Sequence, residues 1–216
     1  HVLITSGANH EPIDPVRYIG NRSSGRMGRA LALEALCRGA RVTVVTGPHE
    51  APLPHAAEVI EAPTAQAMHQ AVAAAFDDAD YFIAAAAVAD YRATETQAHK
   101  HKRNGEAFAI ALTPNEDIAA AMGARKRPDQ RVVGFAAETH DLIAHAQAKL
   151  ARKQLDLIVA NPVGGDASAI GAEATDVHFL TPEGDAGALH AASKTAIAAH
   201  LFDLLRGQAT AAPAHA

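Results

Sequence analysis

The feature that most constrains this chain is a strand-helix-strand pattern within its first 46 residues. Val2-Leu3-Ile4-Thr5 and Arg41-Val-Thr-Val-Val-Thr46 are short runs rich in β-branched and apolar residues. That composition marks strands covered on both faces, as in parallel sheets. Between them lies an alanine- and leucine-rich segment from about Ser24 to Arg38, long enough for a crossover helix. Ser23 or Ser24 is its expected N-cap, Glu34 and Arg38 an i,i+4 pair, and Gly39 the residue that ends it. A βαβ unit of this kind is right-handed and commits the chain to an α/β architecture.

The stretch that opens the helix is Asn21-Arg22-Ser23-Ser24-Gly25-Arg26-Met27-Gly28. A helix N-terminus carries free backbone N–H groups and a partial positive charge, and small residues let an anion approach them. A phosphate-bearing ligand is therefore expected at Ser23, Ser24 and Gly25. A dinucleotide fingerprint places its glycines directly after the first strand. Here Gly25 and Gly28 arrive only after the insertion Ala8–Ile19, whose two prolines, Pro12 and Pro15, oppose regular structure. The second strand also ends in Thr46-Gly47 rather than an acid that could bind a ribose hydroxyl. An NAD(P)- or flavin-dependent Rossmann oxidoreductase is thus the second choice, and a non-catalytic nucleotide-binding domain the third.

The alternation continues along the chain. Strands are expected at 58–61, from residue 80 into the small-residue run Ala84–Asp90, and at 108–112, 131–137, 155–160 and 176–180. Helices are expected at 64–76, from the Thr113–Asp117 turn to about Lys126, at 141–154, and around Ile197, Leu201 and Leu205. Residues 91–109 read as an excursion from the sheet, a flap carrying His99-Lys100-His101-Lys102-Arg103. Residues 164–174 read as a glycine- and alanine-rich loop, 181–184 as a turn, and 208–216 as a disordered tail, leaving 1–207 as one domain. The fold class is α/β, Rossmann-like, with a mostly parallel sheet and helices on both faces.

Composition excludes several functions. With 24 acidic against 19 basic residues the net charge is −5, which argues against general nucleic-acid binding. The single cysteine, Cys37, rules out an intrachain disulfide and a multi-cysteine zinc site, and its alanine-rich surroundings predict a buried thiol. No run of 18 apolar residues exists, so no membrane span is expected. No signal-peptide pattern opens the chain, which makes the cytoplasm the expected location. A first residue of His rather than Met suggests a domain taken from a longer polypeptide.

Four segments together resemble bacterial phosphopantothenoylcysteine synthetase: Glu11-Pro-Ile-Asp-Pro-Val-Arg17 running on to Asn21-Arg-Ser-Ser-Gly25, Ala84-Ala-Ala-Ala-Val-Ala-Asp90, Gly134-Phe-Ala-Ala-Glu-Thr139 and Leu155-Asp-Leu-Ile-Val-Ala-Asn161. They occur in order across about residues 2–205. The resemblance implies a homodimeric ligase of coenzyme A biosynthesis, joining 4′-phosphopantothenate to L-cysteine with CTP and Mg²⁺ through an acyl-cytidylate. In many bacteria it is fused to a flavin-dependent decarboxylase half, which 216 residues do not accommodate, so no FMN is expected in this chain.

The resemblance also implies roles. Asn21 would handle the acyl-cytidylate and Lys100 would be a flap lysine closing over it. Ala84, Ala85, Ala86 and Asp90, the run Glu116-Asp117-Ile118-Ala119, Phe135, Lys149 and Lys153 would contact the nucleotide. Asp90 and Asp117 are the expected partners of a phosphate-bound Mg²⁺. Bland readings stand beside these: Asn21 as a loop brace, Lys100 as a solvated charge, Asp117 as a helix first-turn acid, Phe135 as core. Glu116 departs from the proline common in the family, Arg103 replaces a lysine, and Ala8-Asn9 replaces a glycine-threonine pattern.

Overall fold

The computed structural model describes all residues except Asn104, Glu106, Thr139, 163–173 and 212–216; of 208–211 the backbone alone is described. The expected 164–174 loop thus lies outside the described residues apart from its last position. Eight strands form one sheet, and along it six are parallel: β5 (Glu58–Glu61), β4 (Val42–Thr46), β1 (Val2–Ser6), β6 (Tyr81–Ala84), β9 (Arg131–Glu138) and β10 (Leu157–Pro162). Two antiparallel strands, β11 (Ala174–Thr181) and β12 (Gly184–Ser193), extend the β10 edge. The order of the parallel strands reverses at β1, between β4 and β6. In open α/β sheets such a reversal leaves a crevice at the strands' carboxyl ends.

Helices cover both faces. On one, α1 (Arg26–Cys37) and α5 (Lys194–Ala211) bury Leu31, Ala35, Ile197 and Leu201 against Ile4, Val44, Ile83 and Val159. On the other, α2 (Ala65–Ala75), α3 (Ile118–Arg125) and α4 (Leu142–Arg152) bury Met68, Val72, Met122 and Leu150 against Leu3, Phe82, Val132 and Ile158. Alternate residues of each strand serve opposite faces, as the strand's two-residue period requires. Small helix residues let α1 lie close to the sheet: a Cβ at Gly28 would come within 2.1 Å of Ser6 Oγ.

Two ribbons leave the sheet. The proline-containing insertion is not wholly irregular, since β2 (Glu11–Pro12) pairs with β3 (Tyr18–Ile19). The flap begins with β7 (Tyr91–Ala93), which pairs with β8 (Leu112–Pro114). The strand expected at 108–112 is thereby displaced: 107–111 is not strand, and Phe108, 45% exposed, stacks on His101 at 4.0 Å instead.

Other expectations also shift. The α1 cap is Gly25 in the left-handed region (φ 74°), not Ser23 or Ser24, and no side chain caps it; Ser23 Oγ instead accepts from the Gly25 N–H at 3.3 Å. The tight approach of His49, 2.8 Å from where a Cβ on Gly25 would stand, favours glycine there. Cys37 is exposed rather than buried, because it falls off the Gly28–Leu31–Ala32–Ala35 stripe that faces the sheet. α3 starts only at Ile118, with Asp117 as its cap. The expected turn at 181–184 leads into β12, a strand with no β-branched residue, which its pairing to β11 sustains. α5 continues to Ala211, past the start of the expected tail. Among the described residues no helix is long and apolar enough to cross a membrane.

Candidate functional site

A cleft of about 1030 Å³ opens at the carboxyl ends of β1, β6, β9 and β10. Its walls come from separate parts of the chain: Asn21–Gly28 at the start of α1, Ala84–Tyr91 after β6, Pro114–Ala119 before and into α3, Gly134–Ala137 on β9, and Lys149, Arg152 and Lys153 at the end of α4. Lys194 and Ile197 of α5 close one side. Six lysines and arginines line it, Arg22, Arg26, Lys149, Arg152, Lys153 and Lys194, against three acids, Asp90, Glu116 and Asp117. An excess of cations in a chain of net charge −5 concentrates positive potential where α1 presents its uncapped N–H groups.

Local sequence fixes each wall. The alanines after β6 have no bulk, and the chain there is held by backbone: Ala87 N donates to Gly7 O at 2.9 Å, and Ala86 N to Thr5 Oγ1 at 3.3 Å. Asn21 Nδ2 donates to Val88 O at 2.8 Å, tying the α1 approach to this run across the cleft mouth. Asn115 Nδ2 donates to Ala89 O at 2.8 Å, and its Oδ1 accepts from Arg92 at 3.0 Å, fixing the turn before α3. Asp117 Oδ1 accepts from Ala120 N at 3.1 Å as the α3 cap, and its Oδ2 pairs with Lys153 at 3.0 Å. Glu116, the departure that adds charge, faces His69 at 3.0 Å. Lys149 pairs with Glu138 at 2.5 Å. Burial depresses the Lys194 ammonium pKa below its ordinary 10.5, and Arg26 adds to the effect.

Fifteen of the sixteen sequence-predicted residues line this one cleft: Asn21, Ser23, Ser24, Gly25, Ala84, Ala85, Ala86, Asp90, Glu116, Asp117, Ile118, Ala119, Phe135, Lys149 and Lys153. Lys100 is not among its walls and lies exposed on the flap. Of the expected metal pair, Asp117 has both carboxylate oxygens engaged by the cap and by Lys153, which leaves Asp90, exposed at the rim, as the more available oxygen donor. A different group, His140, Asp141 and His145, brings ligand atoms within 4.8 Å of one another at the start of α4, where the helix dipole opposes a cation.

Sequence reasoning missed Arg22, Arg26, Asn115, Arg152 and Lys194. Arg152 was readable, since it lies three residues after Lys149 on the same helical face. Lys194 was not, because α5 reaches the cleft from the far end of the chain.

A second, smaller pocket of about 610 Å³ shares the Asn21–Ser24 wall and is otherwise lined by Ala8, His10, Tyr18, Gly20, Pro48, His49 and Glu50.

Comparison with known proteins bears on this arrangement. The Coenzyme A biosynthesis bifunctional protein CoaBC of Escherichia coli K12 is 42% identical over 188 residues, covering 86% of this chain and 46% of that protein. A prokaryotic Cysteine/Cysteine sulfinic acid decarboxylase is 41% identical over 202 residues, covering 93% of this chain and 56% of that one. The chain thus spans about half the length of these relatives, whose names describe more than the matched part. The crystal structure of the C-terminal domain of a CoaBC superposes with a TM-score of 0.81 at 33% identity, covering 96% of this chain and 94% of that one. The DNA/pantothenate metabolism flavoprotein C-terminal domain profile matches residues 1–208, and the chain belongs to that family.

Proposed function

We propose that the cleft binds CTP and joins 4′-phosphopantothenate to L-cysteine in coenzyme A biosynthesis. The carboxylate attacks the α-phosphorus of CTP, releasing pyrophosphate and forming an acyl-cytidylate. The cysteine amine then attacks the acyl carbon and CMP leaves, giving phosphopantothenoylcysteine. The observation that carries this reading is that the uncapped α1 N-terminus, Asn21 and the Lys149–Arg152–Lys153 cluster face one cleft at the sheet's switch point. Membership of a family whose relatives include CoaBC proteins supports it.

In this reading Ser23, Ser24 and Gly25 hold phosphates through the helix end. Lys149, Lys153 and Lys194 balance the charge. Phe135 packs against the nucleoside, and the Ala84–Ala86 run leaves it room. Asn21 holds the mixed anhydride, with its amide already oriented by Val88 O. Such a reaction needs orientation and charge neutralisation more than a strong protein base. Mg²⁺ would neutralise phosphate charge during attack, held by the nucleotide and by Asp90, a hard oxygen donor of the right type.

Lys100 acts as the flap residue. Exposed and outside the cleft walls, it fits a flap that reaches a site near a subunit boundary. Five of the seven exposed large hydrophobics among the described residues, Val16, Tyr18, Tyr91, Phe108 and Leu112, lie on the two ribbons, Val59 and Ile143 elsewhere, and this clustering supports a homodimer. The protein acts in the cytoplasm, and flavin-dependent decarboxylation belongs to a fused partner half rather than to this chain.

The test is an assay with phosphopantothenate, cysteine, Mg²⁺ and CTP or ATP side by side. Pyrophosphate, CMP and the amide product are expected with CTP. Nucleotide binding without pyrophosphate release contradicts catalysis. Thermal stabilisation by NADPH but not by CTP with Mg²⁺ favours the oxidoreductase instead.

A further inference from the structure

The Asp14 carboxylate is almost wholly buried although it sits in a surface ribbon. Its two oxygens divide their partners. Oδ1 accepts from Val16 N and Arg17 N, both at 2.9 Å, which makes a local turn. Oδ2 accepts from both Arg17 Nε, at 2.9 Å, and an Arg17 terminal nitrogen, and also from His101 N at 3.3 Å, 87 residues away. Arg17 in turn donates to His101 O at 3.0 Å. The backbone of His101, the residue after Lys100, is therefore gripped on its N–H and its C=O by one ion pair. Gln97 N to Ile13 O at 2.9 Å and Thr96 Oγ1 to Pro12 O at 3.2 Å fasten the preceding turn to the same ribbon.

We propose that Asp14 is a positioning residue that fixes the root of the Lys100 flap to the Arg17 ribbon, and through it sets where Lys100 can reach. This rests on the ligase reading and on Lys100 acting over the activated intermediate. The anchored ribbon runs directly on to Asn21, so one buried carboxylate fixes the register of both assigned catalytic residues. The Arg17 guanidinium holds the Asp14 carboxyl well below the usual carboxylate range, so the anchor stays charged at any pH where the enzyme works. Ion pairs that are fully exposed contribute little positional order, whereas this one is shielded on its acid side.

Asp14→Asn separates the anchor from a merely local turn. Asn keeps an oxygen for Val16 N and Arg17 N, so the turn can persist. It places an N–H₂ against the Arg17 guanidinium and the His101 N–H, where no hydrogen bond can form. Two readouts are needed. Without substrate, limited trypsinolysis after Lys100, Lys102 and Arg103 should quicken about tenfold as the root opens. During turnover, kcat should fall between about tenfold and a hundredfold, with KM for CTP within a factor of two and acyl-cytidylate escaping into solution. In a Lys100→Gln background the same substitution should change kcat less than twofold, because the residue acts through Lys100.

Unchanged trypsinolysis, or a kcat loss that simply multiplies with that of Lys100→Gln, overturns the proposal. Failure of the wild-type chain to form product overturns the ligase reading instead, and the trypsin result then stands alone on whether Asp14 anchors the flap. Full activity in Lys100→Gln also overturns the proposal, because Asp14 would then have no catalytic residue to position.

Discussion

Gly28→Ala offers a demanding test of how the cleft is built. The added Cβ would stand 2.1 Å from Ser6 Oγ, 2.5 Å from Ser6 Cβ and 3.3 Å from Ser6 Cα, where ordinary contact begins at 3.4 Å. Rotating the hydroxyl away does not help, because the Cβ contact alone requires α1 and β1 to part by about 0.9 Å. Ser6 cannot retreat: it is fully buried, and β1 is paired on both sides by β4 and β6. Overpacking of this kind costs about 3 kcal/mol at the upper end, while alanine's better helix propensity returns about 1 kcal/mol, leaving roughly 2 kcal/mol of destabilisation. For a chain of this size that is a fall in Tm of about 4–8 °C. Calorimetry and urea unfolding measure it. Ser6→Gly removes the opposing atoms, so in the double variant at least half of the Gly28→Ala loss should return. CTP affinity of the single variant should also drop, since the α1 N–H row moves. A Gly28→Ala protein as stable as wild type, or no relief from Ser6→Gly, refutes the close helix-strand contact on which the proposed phosphate site depends.

Three further outcomes are expected. Lys153→Gln removes the pair with Asp117 and a cleft cation; steady-state kinetics should show KM for CTP raised about tenfold, the lower end of a charge-assisted hydrogen bond, with little loss of stability. Asp156→Ala should cost about 1–3 kcal/mol in urea unfolding, because the carboxylate accepts from Val132 N and from Lys126 Nζ, each at 2.7 Å; Asp156→Asn should lose less. Lys194, whose folded pKa is depressed by burial and then by Arg26, binds its proton less tightly folded than unfolded. Stability therefore rises with pH between the depressed pKa and the ordinary 10.5, while CTP affinity falls over the rise through the depressed value. Nucleotide binding there should take up protons, seen by calorimetry in buffers of different ionisation enthalpy, and Lys194→Arg should abolish the uptake.

Much of this was legible in the residues because local chemistry and global fold agree. Runs such as Val42–Thr46 can only be buried parallel strands, and Thr64 announces α2 as its cap, whereas Asp117 reads as a first-turn acid and proves to be the cap of α3. Where local signals mislead, a tertiary cause is visible. Ser23 and Ser24 look like caps, yet the approach of His49 makes Gly25 the turning point. β12 has weak strand propensity and exists through its pairing with β11. Phe108–Leu112 has strand-like residues, but among them Leu112 alone enters a strand register, opposite Ala93, while Ala111 O accepts a single bond from Thr94 N at 3.0 Å. Cys37 sits among alanines yet points away from the sheet, a matter of one helical position. The cleft was legible at its motif-bearing walls. Lys194 and the Asp14–His101 anchor were not, since each is a contact across many residues that no local pattern encodes.

The central claim is that the carboxylate of one substrate is activated by attack on the α-phosphorus of the nucleotide. Phosphopantothenate labelled with ¹⁸O in its carboxylate, turned over with cysteine, CTP and Mg²⁺, tests this directly by mass spectrometry of the products. The account predicts one ¹⁸O in the phosphate of CMP and none in pyrophosphate. Label in orthophosphate, or CMP free of ¹⁸O alongside amide product, would contradict it.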